Sequence, residues 1–438
     1  MALGGGTFTF QNKVLPGAYV NFVSAANAST FLSDRGVAAM PYVGDWGAEN
    51  TVVEVSHEDF MKHSLTLFGY DYTHPQMQMF RELFRHAKTV FAYRLNSETN
   101  KASNEYAQAK YGGNRGNALS IVIENDIEGG FVVTTLLDNI EQDRQVVSTA
   151  DELKNNDFVV FQKQTELQLT AGMPLTGGND GQGRTPPNYK KFLEKIEKYR
   201  FHALGCNSPE KEIVDLFVAF TKRMRDEHGI KFQTVVYRAE NADHEGIISL
   251  ENNLLNVNID LFGEFSLVYW LTGAIAGCAV QKSLTNMIYD GEYDINTDYT
   301  QKELQQCIEK GKFLFHQVGD EVCVLKDINT FLSFTKEKSK YFQSNQVMRV
   351  LDQIGNDIAA IFQQRYLGKV QNNHAGRIAF WNDITDFYRN LERIEAITDF
   401  TPDDVVVEQG ESKESVVVTT SVTPVQSMEK LYMTVVVR

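Results

Sequence analysis

Leu431-Tyr-Met-Thr-Val-Val-Val437 closes the chain, with one arginine after it. Its tyrosine, threonine and three valines favour an extended backbone. A lone strand cannot satisfy its own N–H and C=O groups. This one therefore needs a sheet to join, in its own fold or in a neighbour. Two runs of the same character stand just upstream, Val405-Val-Val-Glu408 and Ser415-Val-Val-Val-Thr-Thr-Ser-Val422. The front end matches. Gly4-Gly-Gly6 is a flexible lead-in, and Thr7-Phe-Thr-Phe10 and Gly17-Ala-Tyr-Val-Asn-Phe-Val23 read as strands around Leu15-Pro16-Gly17. Two strand-prone arms at opposite ends suggest a subunit that links itself into a polymer. The competing reading is that both strands close a sheet within the monomer, the commoner use of terminal strands.

The bulk numbers narrow the class. A length of 438 residues predicts two to four domains, and 42% hydrophobic residues supply a sizeable core. The net charge of −15 argues against a nucleic-acid binder, which needs a basic surface. Cys206, Cys278, Cys307 and Cys323 form no C-x-x-C pair and have no histidine cluster beside them. They read as buried thiols of a reducing compartment. The first residues lack the basic and apolar regions of a signal peptide. The longest apolar stretch, Phe265–Val280, is short for a membrane span, holds Gly273 and Gly277, and runs into Gln281-Lys282. It reads as a buried helix, so direct membrane insertion is not expected.

Between the arms the texture changes twice. Gly36–Val43, Thr51–Val55 and Val90–Leu95 read as strands, and His57–Leu67 and Pro75–Lys88 as helices, the second with Phe80, Leu83, Phe84 and Ala87 on one face. Residues 96–183 are different. Strand-like runs at Leu119–Ile123, Phe131–Leu137, Arg144–Ser148 and Asp157–Phe161 are punctuated by paired glycines, the pattern of a small all-β insertion. From Thr185 the α/β texture returns. Ser208-Pro209 is read as the cap of a helix carrying Ile213, Leu216, Phe217, Phe220 and Met224 inward, ended by Gly229. Strands at Phe201–Leu204 and Ile230–Tyr237 flank it, which predicts a parallel pair with a crossover. Two long helices follow. Gln346–Leu367 has a stripe of Val347, Val350, Leu351, Ile354, Ile358, Ile361 and Phe362. His374–Ile397 has Ile378, Trp381, Ile384, Phe387, Tyr388, Leu391 and Ile394. Both stripes read as core.

The fold class expected is α+β or mixed α/β and multidomain. An α/β core (25–95 with 184–330) carries an inserted β-rich domain (96–183). A C-terminal domain (331–422) follows, with linking arms at 1–24 and 423–438.

Several stretches approach known chemistry and miss it. Gly178-Asn-Asp-Gly-Gln-Gly-Arg-Thr185 has the spacing of a phosphate-binding loop, with Arg184 where lysine belongs. Pro186-Pro187 would disfavour the helix that such a loop needs, because the residue before a proline avoids helical angles. Asp294-Ile-Asn-Thr-Asp298 starts like an EF-hand loop, but Tyr299 and Gln305 stand where glycine and glutamate are required. His57-Glu58-Asp59 and Asp243-His244-Glu245 fit no metal-binding helix pattern. Neither an enzyme nor a cofactor is expected.

Ordered stretches across most of the chain resemble the contractile tail sheath proteins of myophages and R-type bacteriocins, nearest to the Bacillus/Clostridium type. The residues that carry the resemblance are Leu15-Pro-Gly-Ala-Tyr-Val20, Arg35-Gly-Val-Ala-Ala39 with Asp45-Trp46-Gly47, Leu271–Gly277 with Lys282–Thr285, Val322–Thr330, Val347–Ile354, Tyr366–Val370 and Met428–Val437. The resemblance implies a virion or phage-tail-like particle component with no bond-making chemistry, assembled in the bacterial cytoplasm. It implies six-membered rings stacked around an inner tail tube, with baseplate and tail terminator proteins as further partners and no nucleic acid.

It also implies strand exchange between subunits. The exchanging residues would be Tyr19, Val20, Phe22, Val23, Leu431, Tyr432, Met433, Val435 and Val437, received by a hairpin carrying Val405, Val407, Val416 and Val418. The charged face of the 374–397 helix, with Arg377, Asp383, Asp386, Arg389 and Arg393, is the candidate tube contact. Ser24–Asn27 and Thr423-Pro424 are the expected flexible joints.

Overall fold

The computed structural model describes residues 33–256 and 263–437. The N-terminal arm, including Tyr19, Val20, Phe22, Val23 and the joint at 24–27, lies outside them. The chain forms two compact units. One comprises residues 35–352 together with 426–437, the other residues 353–425 together with Ser33 and Asp34. The backbone passes between the units after residues 34, 352 and 425.

The larger unit begins with β1 (Val37–Tyr42), β2 (Val52–Ser56), α1 (His57–Phe68), α2 (Gln78–Phe84) and β3 (Thr89–Arg94). The insertion follows as β4 (Ala107–Ala109), β5 (Leu119–Asn125), β6 (Phe131–Leu137), β7 (Ile140–Val147), β8 (Val159–Phe161) and β9 (Thr170–Pro174). Next come α3 (Pro186–Ile196), β10 (Ala203–Gly205), α4 (Lys211–Lys222), β11 (Gln233–Tyr237), β12 (Ile247–Leu250) and β13 (Leu254–Leu255). The unit continues through α5 (Leu267–Gly277), β14 (Asp294–Ile295), α6 (Gln301–Glu309), β15 (Lys312–Phe313), β16 (Phe315–Val318) and β17 (Glu321–Val324), and reaches α7 (Asn345–Ile361).

Seven strands form one sheet in the order β15-β12-β11-β10-β1-β3-β2, parallel throughout except that β2 runs antiparallel to β3. Such a sheet must be covered on both faces. Phe60, Phe80, Leu83, Trp270 and Leu271 of α1, α2 and α5 cover one face, and Tyr189, Phe192, Phe217 and Phe220 of α3 and α4 cover the other. The expected strand–helix–strand unit is present, with Ala203 opposite Gln233 in a parallel pair.

Local chemistry fixes the ends. Ser56 and Asp59 form a capping box at the start of α1. That gives Asp59 of the His57-Glu58-Asp59 run a structural use, while Glu58 pairs with Lys62 in solvent. Ser208 does not cap α4; Glu210 holds that place, and the Ser208 hydroxyl accepts the Glu210 N–H one turn earlier. The apolar 265–280 stretch is the buried helix expected, and no helix among the described residues is long and apolar enough to cross a membrane.

The insertion is a four-stranded antiparallel sheet, β7-β6-β5-β9, with a separate β4–β8 pair, closing its own core around Leu119, Ile121, Val133, Phe158 and Leu175. Sequence reading missed β4 and β9, which are short and lack an apolar run.

In the smaller unit, α8 (His374–Arg393) buries Phe380, Ile384, Phe387, Tyr388 and Leu391. Ile378, expected in that stripe, is exposed. The chain continues through β18 (Ile397–Thr398), β19 (Val405–Gln409), β20 (Val416–Thr420) and β21 (Thr423–Pro424). The β18–β21 pair and the Val425 N–H bond to Ala396 (3.0 Å) pin the residues expected to flex at 423–424.

The stripe predicted for α7 is inverted in part. Val347, Val350 and Ile361 are buried, but Leu351, Ile354 and Ile358 are only half-buried. The buried positions are largely polar: Asn345, Gln346, Arg349, Asp352, Gln353 and Asp357. Periodicity identifies the helix; it does not identify which face finds partners.

Candidate functional site

Residues 426–437 enter no strand ladder among the described residues. Their first part is nevertheless fixed. The Ser427 N–H and hydroxyl both donate to Gln346 Oε1 (3.0 and 3.2 Å). Glu429 accepts the Thr285 hydroxyl (2.8 Å) and lies 3.9 Å from Lys326 Nζ. Beyond this root the side chains stand in solvent: Leu431 is 85% exposed, Tyr432 88% and Val437 90%. Met433 and Val435 are also exposed. A run this apolar is normally covered. Sequence reading singled out the strand-prone run but not the root that holds it, because nothing in Gln346, Thr285 or Lys326 marks them as its partners.

The predicted hairpin forms. β19 and β20 pair antiparallel, with Val407 opposite Val418 and Gln409 opposite Val416. Val405 is buried, and Val407, Val416 and Val418 are half-buried, so these four valines share the inner face as their spacing required. The Trp381 indole N–H, donating to the Val405 carbonyl (2.8 Å), ties β19 to α8. No third strand joins this pair among the described residues, so each strand keeps an open edge. Beside it a cavity of about 510 Å³ is lined by Phe362, Leu367, Val370, Phe380, Arg377 and Val416.

The five charged residues predicted on α8 divide. At about 100° per residue, Asp386, Arg389 and Arg393 share one exposed face and Arg377 lies opposite to it. Arg377 donates to Asn372 Oδ1 (3.0 Å). Asp383 accepts the Tyr366 hydroxyl (2.8 Å) and Arg365 Nη1 (3.1 Å), which holds the turn before α8. Arg393 donates to Asn390. Asp386 and Arg389 pair at 3.2 Å with both side chains more than half exposed, an arrangement of small energetic worth.

One grouping among the described residues has a metal-ligand composition: Asp226, His244 and Glu245. Its hydrogen bonds point elsewhere. His244 Nδ1 accepts the Gly246 N–H (3.0 Å), and burial holds the ring below its ordinary pKa, so the neutral ring carries its proton on Nε2. That proton faces Asp226 (3.2 Å), while Glu245 takes Lys338 Nζ (2.7 Å). A metal on Nε2 would need a proton on Nδ1, where the Gly246 N–H already sits.

The phosphate-loop look-alike is likewise structural. Asp180 accepts the Asn114 N–H and its side-chain amide (2.6 and 2.5 Å). A helix does begin at once, contrary to the argument from Pro186-Pro187. The prolines occupy the first two helical positions of α3, and Thr185 keeps the extended angles that a residue before proline prefers, as its N-cap. Those prolines leave the helix start without the N–H groups that would cradle a phosphate. Asp294 sits in the β13–β14 ladder rather than in a calcium loop.

Four family models tile the chain. A tail sheath protein Gp18 domain III N-terminal region matches residues 35–95 and a phage tail sheath protein beta-sandwich domain 97–180. A phage tail sheath protein central domain matches 182–330 and a phage tail sheath C-terminal domain 337–438. The chain is 32% identical to the phage-like element PBSX protein XkdK of Bacillus subtilis, over 99% of both chains. It resembles the crystal structure of a sheath tail protein from Desulfitobacterium hafniense at 33% identity and a TM-score of 0.81, covering 95% of this chain and 99% of that one. The fold is shared with the helical sheath of the anti-feeding prophage in its contracted state, at 12% identity and a TM-score of 0.55, over 97% of this chain and 99% of that one.

Proposed function

This chain belongs to the phage tail sheath protein family, a family of structural proteins rather than enzymes, and from that membership we propose that it polymerises around an inner tail tube and contracts to drive the tube through a cell envelope. The observation that carries the reading is the C-terminal segment. Residues 431–437 are apolar but for Thr434, exposed, and in no ladder among the described residues, while the β19–β20 hairpin has open edges. Each feature supplies what the other lacks, and in a polymer both are satisfied by strand addition between copies. Leu431, Tyr432, Met433, Val435 and Val437 form the donated strand. Val405, Val407, Val416 and Val418 hold the receiving hairpin against its own domain. The N-terminal residues Tyr19, Val20, Phe22 and Val23 would add the second link.

Backbone ladder bonds do not depend on side-chain packing, so such a joint persists while subunits turn. Stored energy is then the difference in contacts between two lattices, summed over many subunits. The working assembly is a stack of six-membered rings around the tube protein, capped by baseplate and terminator proteins and built in the host cytoplasm. The exposed Asp386–Arg389–Arg393 face of α8 is the proposed tube contact, with Arg377 and Asp383 holding the turn beside it. The inserted domain would lie outward, where added mass does not obstruct the rings.

The test is electron microscopy of the full chain beside a chain ending at residue 429. Tubes or rings from the first and monomers from the second are expected. A truncated chain that assembles as well as the full one overturns the linked-lattice reading. Tubes that never shorten and widen on triggering would leave a static sheath in place of a contractile one.

A further inference from the structure

The segment that leads into α7, Thr330–Ser344, has an unusual surface for so acidic a chain. Lys336, Lys338 and Lys340 project from it against Glu337 alone, with Lys326 nearby across a cavity of about 400 Å³. Leu332 (38%) and Phe334 (43%) before the lysines and Tyr341 (66%) after them are exposed. Lys338 pairs with Glu245, but Lys336 and Lys340 form no ion pair among the described residues. Basic side chains flanked by exposed rings make an interaction surface for an acidic, partly apolar partner.

We propose that this partner is the outer face of the β19–β20 hairpin of a second copy. That face has the complementary chemistry. Glu408, Glu411 and Glu414 stand exposed around its turn against Lys413 alone, and Val406 (44%) and Val417 (50%) are exposed beside them. Both surfaces are uncovered in the single chain. The same cavity that Lys340 and Tyr341 line is lined by Gln426 and Glu429, so the basic segment adjoins the root of the C-terminal arm. The inference rests on the strand-exchange reading in one respect. Eight residues, 430–437, extended at about 3.4 Å each, hold the receiving hairpin within about 27 Å of that root. The hairpin that takes the arm thus comes within range of Lys340, four residues along the same segment from Lys336. Strand pairing supplies the link; the charged contact sets which way the hairpin turns as it docks.

The experiment measures the critical concentration for assembly of the full chain by sedimentation and microscopy. Lys336→Glu with Lys340→Glu should raise it about tenfold, and Glu411→Lys with Glu414→Lys should do the same. All four changes together should restore it toward the unmodified chain, and high salt should narrow the differences. Reversals that leave assembly unchanged, or a fourfold variant that is not restored, overturn the proposal. The chain ending at residue 429 separates the two readings. If it fails to assemble while the charge reversals have no effect, strand exchange stands and this contact falls. If it assembles normally, strand exchange itself falls.

Discussion

Arg349 and Asp327 are each 1% exposed and paired, with Asp327 also accepting the Leu284 N–H and the Asn345 amide. Removing one partner of a buried pair strands the other without water. Arg349→Met should therefore lower stability by about 3–5 kcal/mol in urea unfolding, and adding Asp327→Leu should recover only part, because Leu284 and Asn345 lose their acceptor. Glu82 is a second buried charge site. Its carboxylate accepts the Tyr289 hydroxyl (2.7 Å) and the Glu292 N–H (2.5 Å), and burial pushes its pKa up to about 7. The folded chain then keeps a proton that the unfolded chain releases above about 4.5, so stability falls as pH rises from about 4.5 to about 7. Glu82→Gln should flatten that fall and gain on the order of 3 kcal/mol at pH 8, read from thermal unfolding at pH 5 and pH 8. Neither site was legible in the sequence. A glutamate inside an amphipathic helix reads as its solvent face until a second segment folds over it.

Helix α5 shows what spacing alone reveals and what it withholds. Its length, apolarity and burial followed from composition. The role of Gly273 and Gly277 did not. A side chain on Gly273 would lie 2.2 Å from the Leu83 carbonyl oxygen, and one on Gly277 would lie 2.0 Å from that of His86. The glycines let α5 rest on the backbone of α2 and the residues just after it. Gly273→Ala or Gly277→Ala should cost about 1–3 kcal/mol through forced separation, seen as a lower unfolding midpoint. At α3 the sequence argument failed for a traceable reason. A proline disfavours helical angles in the residue before it; for Pro186 that residue is the cap, which needs none, while Pro186 itself takes the first helical position before Pro187 all the same. In α7 the half-buried Leu351, Ile354 and Ile358 carried the periodic signal, while the buried face was written in polar residues whose partners lie far away in sequence.

On the scale of the whole molecule, the mixed α/β class, the β-rich insertion and the terminal hairpin were all legible, since each is written in local periodicity. The strand-like character of 431–437 was legible too, yet among the described residues they find no ladder. On the proposed strand exchange, their composition serves an assembly rather than a monomer. Exposed apolar arms also promote unwanted association, so a chain ending at residue 429 should stay monodisperse at concentrations where the full chain scatters light.

The route of the backbone has its own consequence. Because the chain passes between its two units at residues 34, 352 and 425, neither unit is a continuous piece. A single cut in α7 between Asp352 and Gln353 would give fragments 1–352 and 353–438, each contributing to both units. Ser33, on the first fragment, bonds to Asp357 on the second (2.6 Å), and Gln346 on the first holds Ser427 on the second. The nicked protein should therefore elute as one species on a native column and separate only in denaturant. The two units are woven from shared thread, and a blade that parts the strand does not unpick the cloth.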